Sequence, residues 1–118
     1  MYTEHLRLPV GPGAVHVERM GRAGPAVALI HGFGTCTFLW RAVAPVLASA
    51  GCTVVCLDWL GFGESDRPAD VSYTLASQAD AIDRALTALR LSDVTVVGQD
   101  LGALVALILA AEAPRLVR

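Results

Sequence analysis

The stretch Val94-Thr95-Val96-Val97-Gly98-Gln99-Asp100-Leu101-Gly102 constrains this chain more than any other. A β-branched run ends at Gly98, a single carboxylate follows, and Gly102 opens the apolar segment Ala103-Leu104-Val105-Ala106-Leu107. A strand that turns at once into a helix needs small residues two places either side of the turning residue, because larger side chains would collide in so sharp a reversal. Such a bend lifts Asp100 above the end of a sheet, at a helix N-terminus where partial positive charge gathers. Aspartate also caps helices well, and the two roles are compatible.

Composition narrows the rest. The 118 residues suffice for one modest domain, which would bury roughly 65% of its unfolded surface. With 54% apolar residues, 17% charged and a net charge of −2, the chain predicts a well-buried α/β core and excludes disorder. It has no basic stripe, so nucleic acid is excluded as a partner. Glu4, His5 and Arg7 interrupt any secretory apolar region, and Pro9, Gly11, Pro12 and Gly13 break it again. The longest apolar run, 101–111, is about half the ~20 residues a membrane helix needs, so no membrane partner is expected. Cys36, Cys52 and Cys56 lack metal-ligand spacing, and an extended strand holds Cys52 and Cys56 too far apart to pair. Reduced thiols in a cytoplasmic protein are expected, with neither metal nor cofactor.

In chain order, Thr3 to Leu8 and Ala14 to Arg19 read as two short strands joined by a Pro/Gly turn. The apolar run 26–30 predicts a strand covered on both faces. It ends in His31-Gly32-Phe33-Gly34, where an open α/β sheet binds ligands. Trp40 to Ala50 predicts an alanine-rich helix with Pro45 in its first turn and Gly51 as its stop. Residues 52–57 predict the next strand, followed by the loop Asp58 to Pro68. Gly61 and Gly63 there hint at a phosphate loop, but the third glycine is missing and position 66 is acidic, which excludes a dinucleotide site. Thr74 caps an amphipathic helix with Leu75, Ala79, Ile82, Leu86 and Leu89 on its apolar stripe and an Asp80–Arg84 pair off it. Helix 102–112 is apolar on nearly all sides and is expected to be buried on several faces, before Pro114 ends it and Leu116-Val117 begins another strand.

His31-Gly32, the Asp58–Pro68 loop and the Gly98–Gly102 turn together resemble the N-terminal part of an α/β-hydrolase, over essentially the whole chain. The resemblance implies a mostly parallel sheet with an antiparallel N-terminal hairpin and flanking helices. It makes Asp100 the nucleophile of an elbow that more often carries serine, with the backbone N–H groups of Phe33 and Leu101 as the oxyanion hole. His31, Gly32, Gly98 and Gly102 would shape the site, the imidazole by bonding neighbouring loops. Asp58 and Arg67 would hold their loop by internal bonds. An aspartate there is similar to the haloalkane dehalogenase, fluoroacetate dehalogenase and epoxide hydrolase branch. A carboxylate needs no proton removed and can attack the saturated carbon of a small-molecule substrate, giving an alkyl ester that activated water cleaves.

The branch pattern is incomplete. Phe33 and Leu101 stand where haloalkane dehalogenases usually have the asparagine and tryptophan that hold halide. Gly34 replaces the branch proline, and Leu101 is not the arginine of fluoroacetate dehalogenases, so epoxide hydrolysis loses least. The family order is nucleophile, acid, histidine, yet no histidine follows Asp100 and the one acid that does, Glu112, lies in a helix. His5 and His16 lie in the opening strands, so neither matches the general base. Residues 1–118 are therefore expected to be one partial domain, truncated before the cap, acid and histidine segments. Its last strand would be an open edge that takes a second copy or the missing C-terminal half. Two other readings stand beside catalysis: an inactive hydrolase-like binding or dimerisation module, and an esterase-like relative whose serine was lost.

Overall fold

The computed structural model describes residues 3–118. Strands β1 (Glu4–Pro9) and β2 (Ala14–Met20) form an antiparallel hairpin. β3 (Ala26–Ile30) follows, then a 3-10 turn at Thr37–Trp40, helix α1 (Ala44–Ser49) and β4 (Thr53–Leu57). Helix α2 (Leu75–Ala88), strand β5 (Thr95–Gly98) and helix α3 (Leu101–Glu112) complete the order. The strands lie side by side as β1-β2-β4-β3-β5. β2 is antiparallel to both neighbours, while β3 is parallel to β4 and β5, so β2 alone runs against the rest. This is the mostly parallel α/β sheet with an antiparallel opening hairpin that the sequence predicts.

Every residue of β3 and β4 is buried, because helices cover both faces of the sheet. Side chains alternate between the two layers. Ala28, Ile30, Val55 and Leu57 pack with Ile82, Leu86, Val105 and Leu109 of α2 and α3. Val27, Leu29, Val54 and Cys56 pack on the other face with Trp40 and Ala44. Each fully buried Leu or Ile here contributes about 1.5–3 kcal/mol of apolar burial.

Two helices differ from the sequence reading. α1 begins at Ala44 instead of Trp40, because Pro45 has no N–H to donate and its ring clashes with the carbonyl four residues back. The preceding residues take the tighter 3-10 turn instead. α3 buries one stripe, Gly102, Val105 and Leu109, while Leu104 and Leu107 are 46% and 68% exposed. It rests on β5 and β3 and beside α2. α2 matches its pattern: Ser77 N–H donates to Thr74 Oγ1 at 3.0 Å, and Arg84 pairs with Asp80 at 3.0 Å.

The outer edge of β5 carries a single parallel bridge, Val94 to Val117. Val94 N–H donates to the Leu116 carbonyl at 2.7 Å and Arg118 N–H to the Val94 carbonyl at 2.8 Å. The strand start read at Leu116-Val117 is thus in register with β5, one bridge long. No helix among the described residues is long and apolar enough to cross a membrane.

Candidate active site

β3 leads to β4 on one side, and the chain then crosses to β5 on the other. In open α/β sheets, ligands bind beyond the carboxyl ends of the strands that flank such a reversal, here β3 and β5. The His31–Gly34 segment and the elbow meet there, tied by Gln99 N–H donating to the Ile30 carbonyl at 3.1 Å.

Three glycines let the backbones approach. A Cβ on Gly98 would lie 2.3 Å from the Gly102 carbonyl oxygen, and one on Gly102 would lie 2.4 Å from the carbonyl oxygens of Ile30 and His31. A Cβ on Gly32 would come within 2.7 Å of Asp100 Cβ. Between them Asp100 adopts φ 60° and ψ −126°, which side-chain-bearing residues rarely occupy and which costs about 1–3 kcal/mol. Asp100 stands at the N-cap of α3, yet its side chain caps no helix N–H. The exposed carboxylate instead accepts the Phe33 N–H at Oδ2, 3.3 Å away. Leu101 is the first residue of α3, and its N–H is one of the donors that a helix start leaves without an intrahelical partner.

His31 is fully buried. Its Nε2 accepts the Trp59 N–H at 3.1 Å and its Nδ1 lies 2.8 Å from the Gly32 carbonyl. Nε2 must therefore carry no proton and Nδ1 must donate, which sets one neutral tautomer. Burial holds its pKa below the usual imidazole value, against the opposing pull of the Gly32 carbonyl and Asp58. With both nitrogens engaged, the ring binds the loop after β3 to the loop after β4. It stacks on Trp59 at 5.2 Å, and Phe62 and the 69%-exposed Phe33 extend this aromatic layer to the mouth of the site.

The loop after β4 is anchored by Asp58, which is 1% exposed. Its carboxylate accepts the N–H groups of Thr37 at 2.8 Å and Glu64 at 2.9 Å. Gly63 passes so close that a Cβ would sit 2.3 Å from that carboxylate. Arg67 donates to the Gly63 carbonyl at 3.0 Å, also within the loop. Sequence reasoning missed Gln78. Buried on α2, its Oε1 accepts the Leu60 N–H at 3.1 Å and its Nε2 donates to the Leu60 carbonyl at 2.9 Å, clipping helix to loop. The available signal was an amide beside Ala79 on the apolar stripe of an otherwise regular amphipathic helix.

The family model described as the alpha/beta hydrolase fold matches residues 25–118. The chain belongs to the α/β-hydrolase fold family. A haloalkane dehalogenase of Mycobacterium marinum is 34% identical over 111 residues, 93% of this chain and 35% of that protein. An epoxide hydrolase of Caballeronia sordidicola is 40% identical over 91 residues, 76% of this chain and 27% of that protein. Among solved structures, an epoxide hydrolase from Vigna radiata superposes with a TM-score of 0.91 at 30% identity, covering 98% of this chain and 38% of that one. A haloalkane dehalogenase loop variant from Bradyrhizobium elkanii gives 0.89 at 32% identity, covering 99% and 38%. The chain therefore spans about a third of the length of these relatives.

Proposed function

We propose that Asp100 is the nucleophile of a hydrolase acting on an epoxide or a halogenated small molecule, with epoxide favoured. The carrying observation is the exposed carboxylate held at a strained elbow, its Oδ2 accepting the Phe33 N–H. In this reading Oδ1 attacks the saturated carbon, the ring or carbon–halogen bond breaks, and its electron pair leaves on the oxygen or halide. Oδ2 becomes the ester carbonyl oxygen. When water attacks that ester, charge returns to Oδ2 and is met by the N–H groups of Phe33 and Leu101. Phe33 and Leu101 offer no side-chain donor to a halide, which favours the epoxide.

Turnover needs a base for the water, and His31 is unsuited because both ring nitrogens are engaged. The base, acid and cap belong in this proposal to a further segment of a longer protein, continuing the sheet beside β5 where Val117 bridges Val94. The exposed Leu104 and Leu107 on α3 are apolar surface such a segment would cover. A second copy of the chain is the alternative occupant. A cytoplasmic setting is part of the same reading, supported by three free cysteines. Burial pushes the Cys56 thiol up to about 12, keeping it inert.

The test is covalent labelling of the 118-residue chain with a reactive epoxide, read by mass spectrometry. One adduct per chain at Asp100, absent in Asp100→Asn, is expected. Equal labelling in the variant would overturn the assignment. A stable dimer without labelling would favour the inactive binding module.

A further inference from the structure

A second group of chemistry-bearing side chains lies on the hairpin, away from Asp100. β1 and β2 pair so that His5 faces Glu18 and Arg7 faces His16. His16 and Glu18, two residues apart, share a face of β2, and His5 reaches His16 diagonally with the rings stacked at 5.5 Å. The potential donor atoms of His5, His16 and Glu18 all lie within 4.8 Å of one another. A fourth donor, Glu64, comes from the loop after β4: its Oε2 is 3.5 Å from His16 Nε2, while Glu18 Oε2 is 3.1 Å from the same nitrogen.

We propose that His5, His16, Glu18 and Glu64 form a binding site for one divalent transition-metal ion of the zinc type. Zinc takes nitrogen and carboxylate ligands at about 2.0–2.2 Å, so the edge of its ligand tetrahedron is roughly 3.3–3.5 Å. The Glu64 separation from His16 Nε2, 3.5 Å, lies at that edge, and the Glu18 separation, 3.1 Å, is a little shorter and opens to it with a small shift of the carboxylate. Two imidazoles select a zinc-like ion over calcium or magnesium, which prefer oxygen.

The site also has the support a metal needs. Thr37 Oγ1 donates to Glu18 Oε2 at 2.9 Å, orienting the carboxylate from outside. His16 is held by its backbone N–H, which donates to Ser65 Oγ at 2.8 Å, and its side chain is 7% exposed. Entry is open, because His5 is exposed and an open recess of about 450 Å³ is lined by His5, Arg7, His16 and Glu64. The Arg7 cation in that recess is turned to Asp66 and to the Glu64 carbonyl at 2.7 Å. Any proton on His16 Nε2 passes to the buffer on binding, and the ion then joins the hairpin to the loop after β4.

Titration of the 118-residue chain with Zn2+ by calorimetry, with Co2+ as a spectroscopic probe, tests this. One Zn2+ per chain, a higher unfolding midpoint with Zn2+, and the visible bands of tetrahedral Co2+ without a sulfur charge-transfer band are expected. His5→Gln, an exposed change that leaves the fold intact, and Glu18→Gln should each weaken binding by at least the ~10-fold that loss of an outer-shell partner costs. No binding at micromolar Zn2+, unchanged affinity in His5→Gln, or a thiolate band from the cysteines would overturn the proposal.

Discussion

β4 and β5 flank β3 on opposite sides, and each delivers an aspartate beyond its carboxyl end beside close-packed glycine. Their fates are opposite. The Asp58 carboxylate is buried and accepts two backbone N–H groups from two loops. Asp100 is exposed, strained at φ 60°, and takes one long hydrogen bond from Phe33. A carboxylate whose oxygens are saturated by fixed donors holds chain segments together. One held at a strained turn with a single hydrogen bond keeps an oxygen without a protein partner. Residue type and topological position are shared, so the local satisfaction of the carboxylate makes the difference.

That contrast can be broken in three places. Asp58→Ala leaves the N–H groups of Thr37 and Glu64 without their acceptor and should cost roughly 2–4 kcal/mol in urea unfolding. A loss near zero would mean that Asp58 is not the anchor. Asp100→Gly should act in the other direction. Glycine tolerates the elbow conformation, so the change should stabilise the fold by about 1 kcal/mol while abolishing labelling, glycine's greater freedom when unfolded offsetting part of the strain relieved. A destabilised Asp100→Gly would show that the carboxylate is structural after all.

The smallest effect concerns His31, which links the two regions. Burial lowers its folded pKa, so below about pH 6.5 the unfolded chain binds a proton that the native ring resists. Stability should be unaffected by this group above that pH and should fall as pH drops from there towards the lower native value. His31→Gln should remove that component of the pH profile. An identical slope in the variant would assign it elsewhere.

Much of this was legible in the residue order, for definite reasons. Strands β3 and β4 were readable because continuous apolar runs have no other stable place than a doubly covered sheet. The elbow was readable because glycine, carboxylate, glycine between a β-branched run and an apolar helix leaves few backbone paths. The α1 start was misplaced because alanine-rich pattern outweighed the steric reach of Pro45 in that reading. The burial of α3 was overestimated because periodicity reports which faces are apolar and not which faces find a neighbour. Gln78 stayed hidden because its partner is a backbone eighteen residues away in sequence.

The order of residues alone determined the family, the strand and helix sequence and the identity of the carboxylate at the turn, since these follow from local sterics and apolar periodicity. Tertiary structure decided what each polar group touches. It made one aspartate an anchor and left the other exposed, set the tautomer of His31, and gathered His5, His16, Glu18 and Glu64 at one place through hairpin register and loop closure. Hydrogen bonds and metal geometry act over about 2–3.5 Å, and only the folded chain sets distances that short between residues far apart in sequence.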